Sequence, residues 1–417
     1  MARLGVVFVP IDCRWTSGEK ERVCAYFHAK LLLLNPGDSW NGGIEAIEVP
    51  DNWNPANVAA QLSAMPRADA NGLPLAIYLS SGTTGRPKGP LLTHANLHSR
   101  FLIYQNSLRL NEQDRFACVT PLYFSASRGF SMCILHAGGT IVLLPPPIPA
   151  RELIDAINES GCTSASFVPT LIRRILGEHG RKGPCLPGLR TLISTGAVLN
   201  PQEREEALRC LSPNLFTFYG SSEGGGVAVL EPSHPMTKAA SAGQILQGTQ
   251  VRIVDASFED VAPGKIGRIC YRSAATASGF YNDPEETART FRDGWFLPGD
   301  LGRIDTDGFV WITGREKDMI IRGGANVYPE EIESVLRAHP DVADAAVVGA
   351  PSQEFGEEIV AYVSLWRSVT DSELIDWCGK ELAAYKLPRR IHRLAELPKT
   401  AVGKADKLAL KARAAAE

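Results

Sequence analysis

The chain has 417 residues, with 43 Lys and Arg against 46 Asp and Glu and a formal charge of −3, a near-balance that excludes a nucleic-acid binder held by a basic face. Hydrophobic residues make up 44% and charged residues 21%, which excludes a disordered or fibrous chain and allows about two or three domains. Nine cysteines, scattered from Cys13 to Cys378 with no C-x-x-C pair, point to neither a disulfide framework nor a zinc site and fit a reducing cytoplasm. The opening Met1-Ala-Arg-Leu-Gly-Val-Val-Phe-Val-Pro carries one charge and a short apolar run broken by Pro10, unlike a secretory signal. No apolar run approaches the roughly 18 residues of a membrane span.

From residue 1 to about 230, short β-branched runs alternate with helical stretches, the pattern of an α/β layer fold. Val7 to Val9, Leu31 to Leu34, Ala76 to Ser80, Thr140 to Leu144, Thr191 to Ser194 and Leu215 to Tyr219 read as buried strands. Helices are predicted near 94–107, 151–159, 170–179 and 201–210. Between about 242 and 313 the rhythm changes to closely spaced strands with Gly and Asp turns, which predicts a β-rich subdomain. After Gly314 comes a module of about 100 residues. In it Pro329 opens a helix with Ile332, Val335 and Leu336 on one face, and Thr370 with Glu373 forms a capping box for another, which buries Leu374, Trp377 and Cys378. Strands Ala345 to Val348 and Ile359 to Leu365 lie between them, and Lys407, Lys411 and Arg413 among alanines predict a frayed terminal helix.

The segment Ser80-Ser81-Gly82-Thr83-Thr84-Gly85-Arg86-Pro87-Lys88-Gly89 follows an apolar strand and precedes a helix. Its glycines permit tight turns, its hydroxyls donate hydrogen bonds and Lys88 adds positive charge, a set that suits polyphosphate oxygens. It is not the P-loop of nucleotide kinases, because Pro87 stands where the second glycine belongs. Further along, Ser194-Thr195-Gly196-Ala197 and Phe218-Tyr219-Gly220-Ser221-Ser222-Glu223 end predicted strands, where open α/β sheets bind ligands. Asp300 closes Trp295-Phe296-Leu297-Pro298-Gly299-Asp300 on a turn, placed to accept two hydrogen bonds from a diol. Taken singly, each of these also reads as an ordinary strand-end turn.

With His94 and Asn96 downstream, the phosphate-loop segment resembles that of the adenylate-forming superfamily of acyl-CoA synthetases, aryl-CoA ligases, luciferases and peptide-synthetase adenylation domains. The resemblance extends over essentially the whole chain. It implies a large N-terminal α/β domain, residues 1–314, with its β-rich subdomain near 242–313, and a small mobile α+β domain at 315–417. It further implies that Ser81, Gly82, Thr83, Thr84, Gly85 and Lys88 hold the ATP phosphates and that Gly196, Ala197, Tyr219 and Gly220 surround adenine. Ser222 would then contact the α-phosphate and Glu223 a magnesium ion. Asp300 and Arg315 would bind ribose or phosphate, and Lys317 would be the hinge of the small domain. Arg322, Gly323, Gly324 and Asn326 fall in a loop that presents backbone to the coenzyme A arm, although R-G-G-A-N also reads as a plain hairpin turn. Lys404, thirteen residues from the end, matches the lysine that enters the active site during adenylation.

The implied reaction is ligation of a fatty or aromatic carboxylic acid to coenzyme A through an acyl-adenylate, with ATP and Mg²⁺ and release of AMP and pyrophosphate. A stand-alone adenylation domain loading a carrier protein shares the first step, and a truncated, non-catalytic binding protein is a third reading. Relatives reach the equivalent of Leu4 to Asp12 only after a substantial stretch, so the front of the large domain is expected to be missing, leaving sheet edges and apolar faces open. Where many ligases carry a gating His after a Pro-Leu pair, this chain has Phe124, with Arg128 close behind. Arg128 is a candidate partner for a second substrate carboxylate or for a structural acid.

Overall fold

A computed structural model describes residues 5–50, 72–79, 88–179, 183–197, 199–400 and 404–416. Its centre is a 13-stranded mixed sheet. Five parallel strands form one half, in the spatial order Thr140–Leu143, Arg115–Cys118, Ser164–Phe167, Thr191–Thr195 and Leu215–Ser221. The inner strands are covered on both faces, so alternate residues enter different cores, whereas the edge strand Thr140–Leu143, expected to be buried, has no buried residue and leaves Leu143 62% exposed. Phe116 and Cys118 pack with Ile193 and Phe216 beneath helices His94–Leu108 and Ser125–Ala137. Ala117 and Val119 pack with Leu192 and Leu215 beneath helices Ala150–Glu159, Pro169–His179 and Pro201–Cys210.

The strand-dense region is a continuation of the same sheet. Gly225–Leu230 turns back antiparallel to Leu215–Ser221, and Gly243–Ile245, Phe309–Arg315, Asp300–Ile304 and Gly267–Ser273 follow it across. This half has its own core of Val227, Ile269, Tyr271, Phe296 and Val310. A second sheet of five strands begins at Ile320–Arg322 and is dominated by the long pair Val342–Ser352 and Gly356–Leu365. Helices Pro329–Arg337 and Asp371–Gly379 close one face with Ile332, Leu336, Leu374 and Cys378, and the capping box of Thr370 and Glu373 forms as predicted.

Three further predicted elements need correction. Val7 to Val9 is no strand: only Phe8 makes a bridge, to Ala76. Leu31–Leu34 is a strand but not a buried one, because among the described residues it pairs only with Glu45–Glu48 and leaves Leu31 and Leu33 exposed. The terminal helix, Lys407–Ala416, is not frayed. Leu410 and Ala414, four residues apart and so on one face, are 1% and 2% exposed against Ala346, Val348 and Val360, and Lys407 reaches Glu333 at 2.8 Å.

Candidate active site

Three side chains from distant parts of the sequence meet where the large sheet approaches the small module, and a fourth, Lys404, lies within electrostatic reach of them. Tyr219 lies near the end of Leu215–Ser221, Asp300 begins the strand Asp300–Ile304, and Arg315 ends the strand Phe309–Arg315. The antiparallel register sets Asp300 opposite Arg315. The Tyr219 hydroxyl donates to Asp300 Oδ2 at 2.6 Å, and Arg315 Nε reaches Oδ1 at 2.6 Å. Arg315 Nη1 also donates to the carbonyl of Pro298 at 3.0 Å, which ties the guanidinium to the preceding turn. Burial, reinforced by the adjacent carboxylate, pushes the Tyr219 phenol well above its ordinary value, so the hydroxyl remains a donor. Burial works against the Arg315 cation, but Asp300 outweighs it and raises its pKa.

Lys404 joins this group from the C-terminal tail. Its carbonyl accepts from the Thr400 amide at 2.7 Å, closing the loop that carries it. The residue as a whole is exposed, yet its ammonium lies among enough protein to be partly desolvated. That desolvation and the cation of Arg315 lower its pKa, with Asp300 opposing and exposed Lys317 adding to the fall.

The turn after Tyr219 is clasped by one hydroxyl. Ser221 Oγ accepts from the amides of Glu223 and Gly224 at 3.2 and 2.9 Å and receives the Tyr271 hydroxyl at 2.9 Å. Gly224 has no substitute there, because a Cβ would lie 2.0 Å from the Tyr271 ring. The clasp leaves the half-buried Glu223 carboxylate without a hydrogen bond among the described residues, a free hard-oxygen donor that fits a magnesium ion. Gly196 and Ala197 are exposed at the tip of the neighbouring strand Thr191–Thr195, and Ser222 offers its carbonyl to Arg100 at 3.2 Å.

Ser81, Gly82, Thr83, Thr84 and Gly85 lie outside the described residues. Lys88, at the end of that segment, forms an ion pair with Glu286 at 3.0 Å. Arg322, Gly323, Gly324 and Asn326 form a hairpin between Ile320–Arg322 and Ala325–Val327, with positive φ at both glycines. Arg322 bonds the Tyr385 carbonyl and lies over Phe355, so the contacts of this hairpin are within the small module and not with Asp300. Among the described residues no acid lies beside Arg128, and its Nη1 donates instead to the carbonyls of Leu122 and Tyr123. Sequence reasoning missed Arg100, Tyr78 and Ser221. A cation at position 100 within the buried helical stripe Leu97, Phe101, Tyr104 and Leu108 was the available signal.

Residues 1–281 match the AMP-binding enzyme family and residues 331–404 its C-terminal domain. The chain belongs to the AMP-binding enzymes. It is an acid–thiol ligase, and the enzymes of this family use ATP and coenzyme A. This AMP-binding enzyme is 32% identical to the indoleacetate–CoA ligase of Aromatoleum aromaticum, over 97% of its own length and 83% of that protein's. It is 30% identical to the fatty acid–[acyl-carrier-protein] ligase ScoC of Streptomyces coeruleorubidus, over 97% and 81%. Its fold superposes on the o-succinylbenzoate CoA synthetase of Bacillus subtilis, solved with its acyl-adenylate intermediate, with a TM-score of 0.83, 28% identity and coverage of 98% and 83%. No helix among the described residues is long and apolar enough to cross a membrane.

Proposed function

We propose that this enzyme activates an organic carboxylic acid with ATP and transfers the acyl group to the thiol of coenzyme A. A carboxylate resists nucleophiles, and activation supplies the leaving group it lacks. One carboxylate oxygen attacks the α-phosphorus, the bond to the bridging oxygen of pyrophosphate breaks, and an acyl-adenylate forms. A thiolate then attacks the acyl carbon, and the carbon–oxygen bond to AMP breaks. Such steps depend on positioning and on cancelling charge.

The observation that carries this reading is the meeting of Tyr219, Asp300 and Arg315, with Lys404 within electrostatic reach of them. In this assignment Asp300, held by Tyr219 and Arg315, accepts from the ribose hydroxyls, while Gly196, Ala197 and the Tyr219 ring face adenine. Ser222 donates to the α-phosphate, and Lys404 lies between that phosphate and the incoming carboxylate. Residues 81–85 and Lys88 hold the departing phosphates, for which Lys88 must exchange Glu286 for phosphate oxygen. Glu223 would hold magnesium, which supplies charge neutralisation on the triphosphate when bound. Residues 1–314 form the nucleotide domain and 315–417 the mobile one, turning at Lys317 so that Arg322 to Asn326 meet the coenzyme A arm for the second step.

The test separates the two half-reactions. Lys404→Ala is expected to lower acid-dependent exchange of labelled pyrophosphate into ATP by about 100- to 1,000-fold while sparing thioester formation from supplied acyl-adenylate. Equal loss of both removes the role from Lys404, and no exchange by the unaltered chain with any acid favours a non-catalytic binding protein. The similarity to ScoC favours carrier-protein phosphopantetheine as the alternative acceptor. Offering both thiols to the preformed adenylate distinguishes them.

A further inference from the structure

Two arginines are buried in the large domain without a carboxylate to answer them. Arg128 is 7% exposed and Arg100 2%, and no Asp or Glu among the described residues pairs with either. Both guanidinium groups lie near the ring of Tyr78, at 3.9 and 6.0 Å from its centroid. Arg128 Nη1 takes the carbonyls of Leu122 and Tyr123 at 2.7 and 3.0 Å, but Nε is buried with no acceptor among the described residues, and no carboxylate among them takes Nη2. Arg100 bonds Ser222 and Ala275 through Nη1 and Nη2, again leaving Nε bare. Ser131, one turn beyond Arg128 on the helix Ser125–Ala137, has a buried hydroxyl without a partner among the described residues, while the Tyr78 hydroxyl serves Arg128 itself.

Arg204 provides the internal contrast. It is equally buried and has no acid among the described residues, yet Thr217 Oγ1 and the carbonyls of Leu215, Leu230 and Glu231 surround its guanidinium. That is how this fold satisfies a structural arginine. Around Arg128 three buried polar atoms find no partner among the described residues instead, the Nε atoms of two like charges and the hydroxyl of Ser131, an arrangement that is costly unless an anion completes it. Burial depresses the Arg128 pKa, with Tyr78 opposing and the nearby Arg100 cation adding to the fall.

The position of the pair narrows what that anion is. Tyr78 leads into the segment 80–89, Leu122 and Tyr123 follow the strand Arg115–Cys118, and Ser222 adjoins Glu223. The cations therefore lie beside the place where, on the ligase reading above, the acid is activated. The Nε and Nη2 edge of Arg128, which no carboxylate among the described residues takes, is the edge that grips a carboxylate through two parallel hydrogen bonds. We propose that Arg128, with Arg100 and Ser131 behind it, recognises a second carboxylate on the acid substrate, so that the enzyme prefers dicarboxylic acids.

The test uses the full chain and pyrophosphate exchange with matched acids of one carbon skeleton, hexanoate against adipate and phenylacetate against 1,4-phenylenediacetate. Each dicarboxylate is expected to give the higher kcat/KM, by at least about 10-fold. Arg128→Met is expected to reduce that ratio by about 100-fold and Arg128→Lys to retain part of it. A purely structural arginine would lower both acids together, so an unchanged ratio overturns the proposal, as does a wild-type preference for the monocarboxylates. An unchanged ratio with a raised KM for ATP assigns the pair to the nucleotide phosphates and overturns it equally. Should Arg128→Met fail to fold by its urea transition, the ratio in Arg128→Lys decides. No exchange by the wild type with any acid removes the ligase reading itself, a failure distinct from the others.

Discussion

Tyr219→Phe isolates a single hydroxyl and leaves the aromatic ring in place. Asp300 is 5% exposed, and its two oxygens are divided between Tyr219 and Arg315, each at 2.6 Å. A hydrogen bond to a charged acceptor contributes about 1.5–3 kcal/mol. Arg315 does not make up the loss, because it already holds the other oxygen, Oδ1, and its partly exposed side chain is screened by solvent. If the held carboxylate is what receives the ribose, KM for ATP should rise about 10- to 100-fold, since each 1.4 kcal/mol is roughly tenfold, with kcat little changed. Initial rates of pyrophosphate exchange across a range of ATP concentrations measure this, and urea unfolding separates binding from stability. A KM within about twofold of wild type, with an unchanged urea midpoint, would show that the phenol does not hold the carboxylate in place.

Two further outcomes concern the C-terminal tail. Partial desolvation and the Arg315 cation hold Lys404 below its ordinary pKa, and the protonated form is the one that can bridge two anions. Adenylation should therefore fall as pH rises through that lowered value, and Lys404→Arg, cationic throughout, should be slower but lose this alkaline limb; the same limb in both would assign it to another group. Leu410 is 1% exposed, so Leu410→Ala should cost about 2–5 kcal/mol of local packing and impair adenylation more than thioester formation. Equal effects on the two half-reactions would detach the helix from the placement of Lys404.

The parallel half of the sheet was readable because strands covered on both faces leave apolar runs, as in Thr191–Thr195 and Leu215–Ser221. Ser164–Phe167 escaped notice although all four of its residues are buried, since two serines hide a strand whose burial is imposed by its neighbours. The helix Ser17–Tyr26 carried a legible signal in the capping box of Thr16 and Glu19, but no clear apolar face to support it. In the terminal helix, two small apolar residues among lysines looked solvated until the sheet beneath them was in view. At the site, Tyr219, Asp300, Arg315 and Lys404 could be singled out by motif, but not their union. Tyr219 and Asp300 are 81 residues apart, and only the antiparallel order of intervening strands joins them. The bare edge of Arg128 was beyond any reading of the chain, because it is defined by which carbonyls happen to lie nearby.

The bridge from Lys407 to Glu333 couples the tail to the helix that follows the hairpin of the small module. Lys404 stands only three residues upstream of that anchor and is braced by the Thr400 amide on its other side. If the small domain turns as proposed, Lys404 would travel as cargo on this anchored arm. A swing at Lys317 would lift it away and return it without melting or rebuilding the tail, and the effort of the stroke would fall on the joint alone.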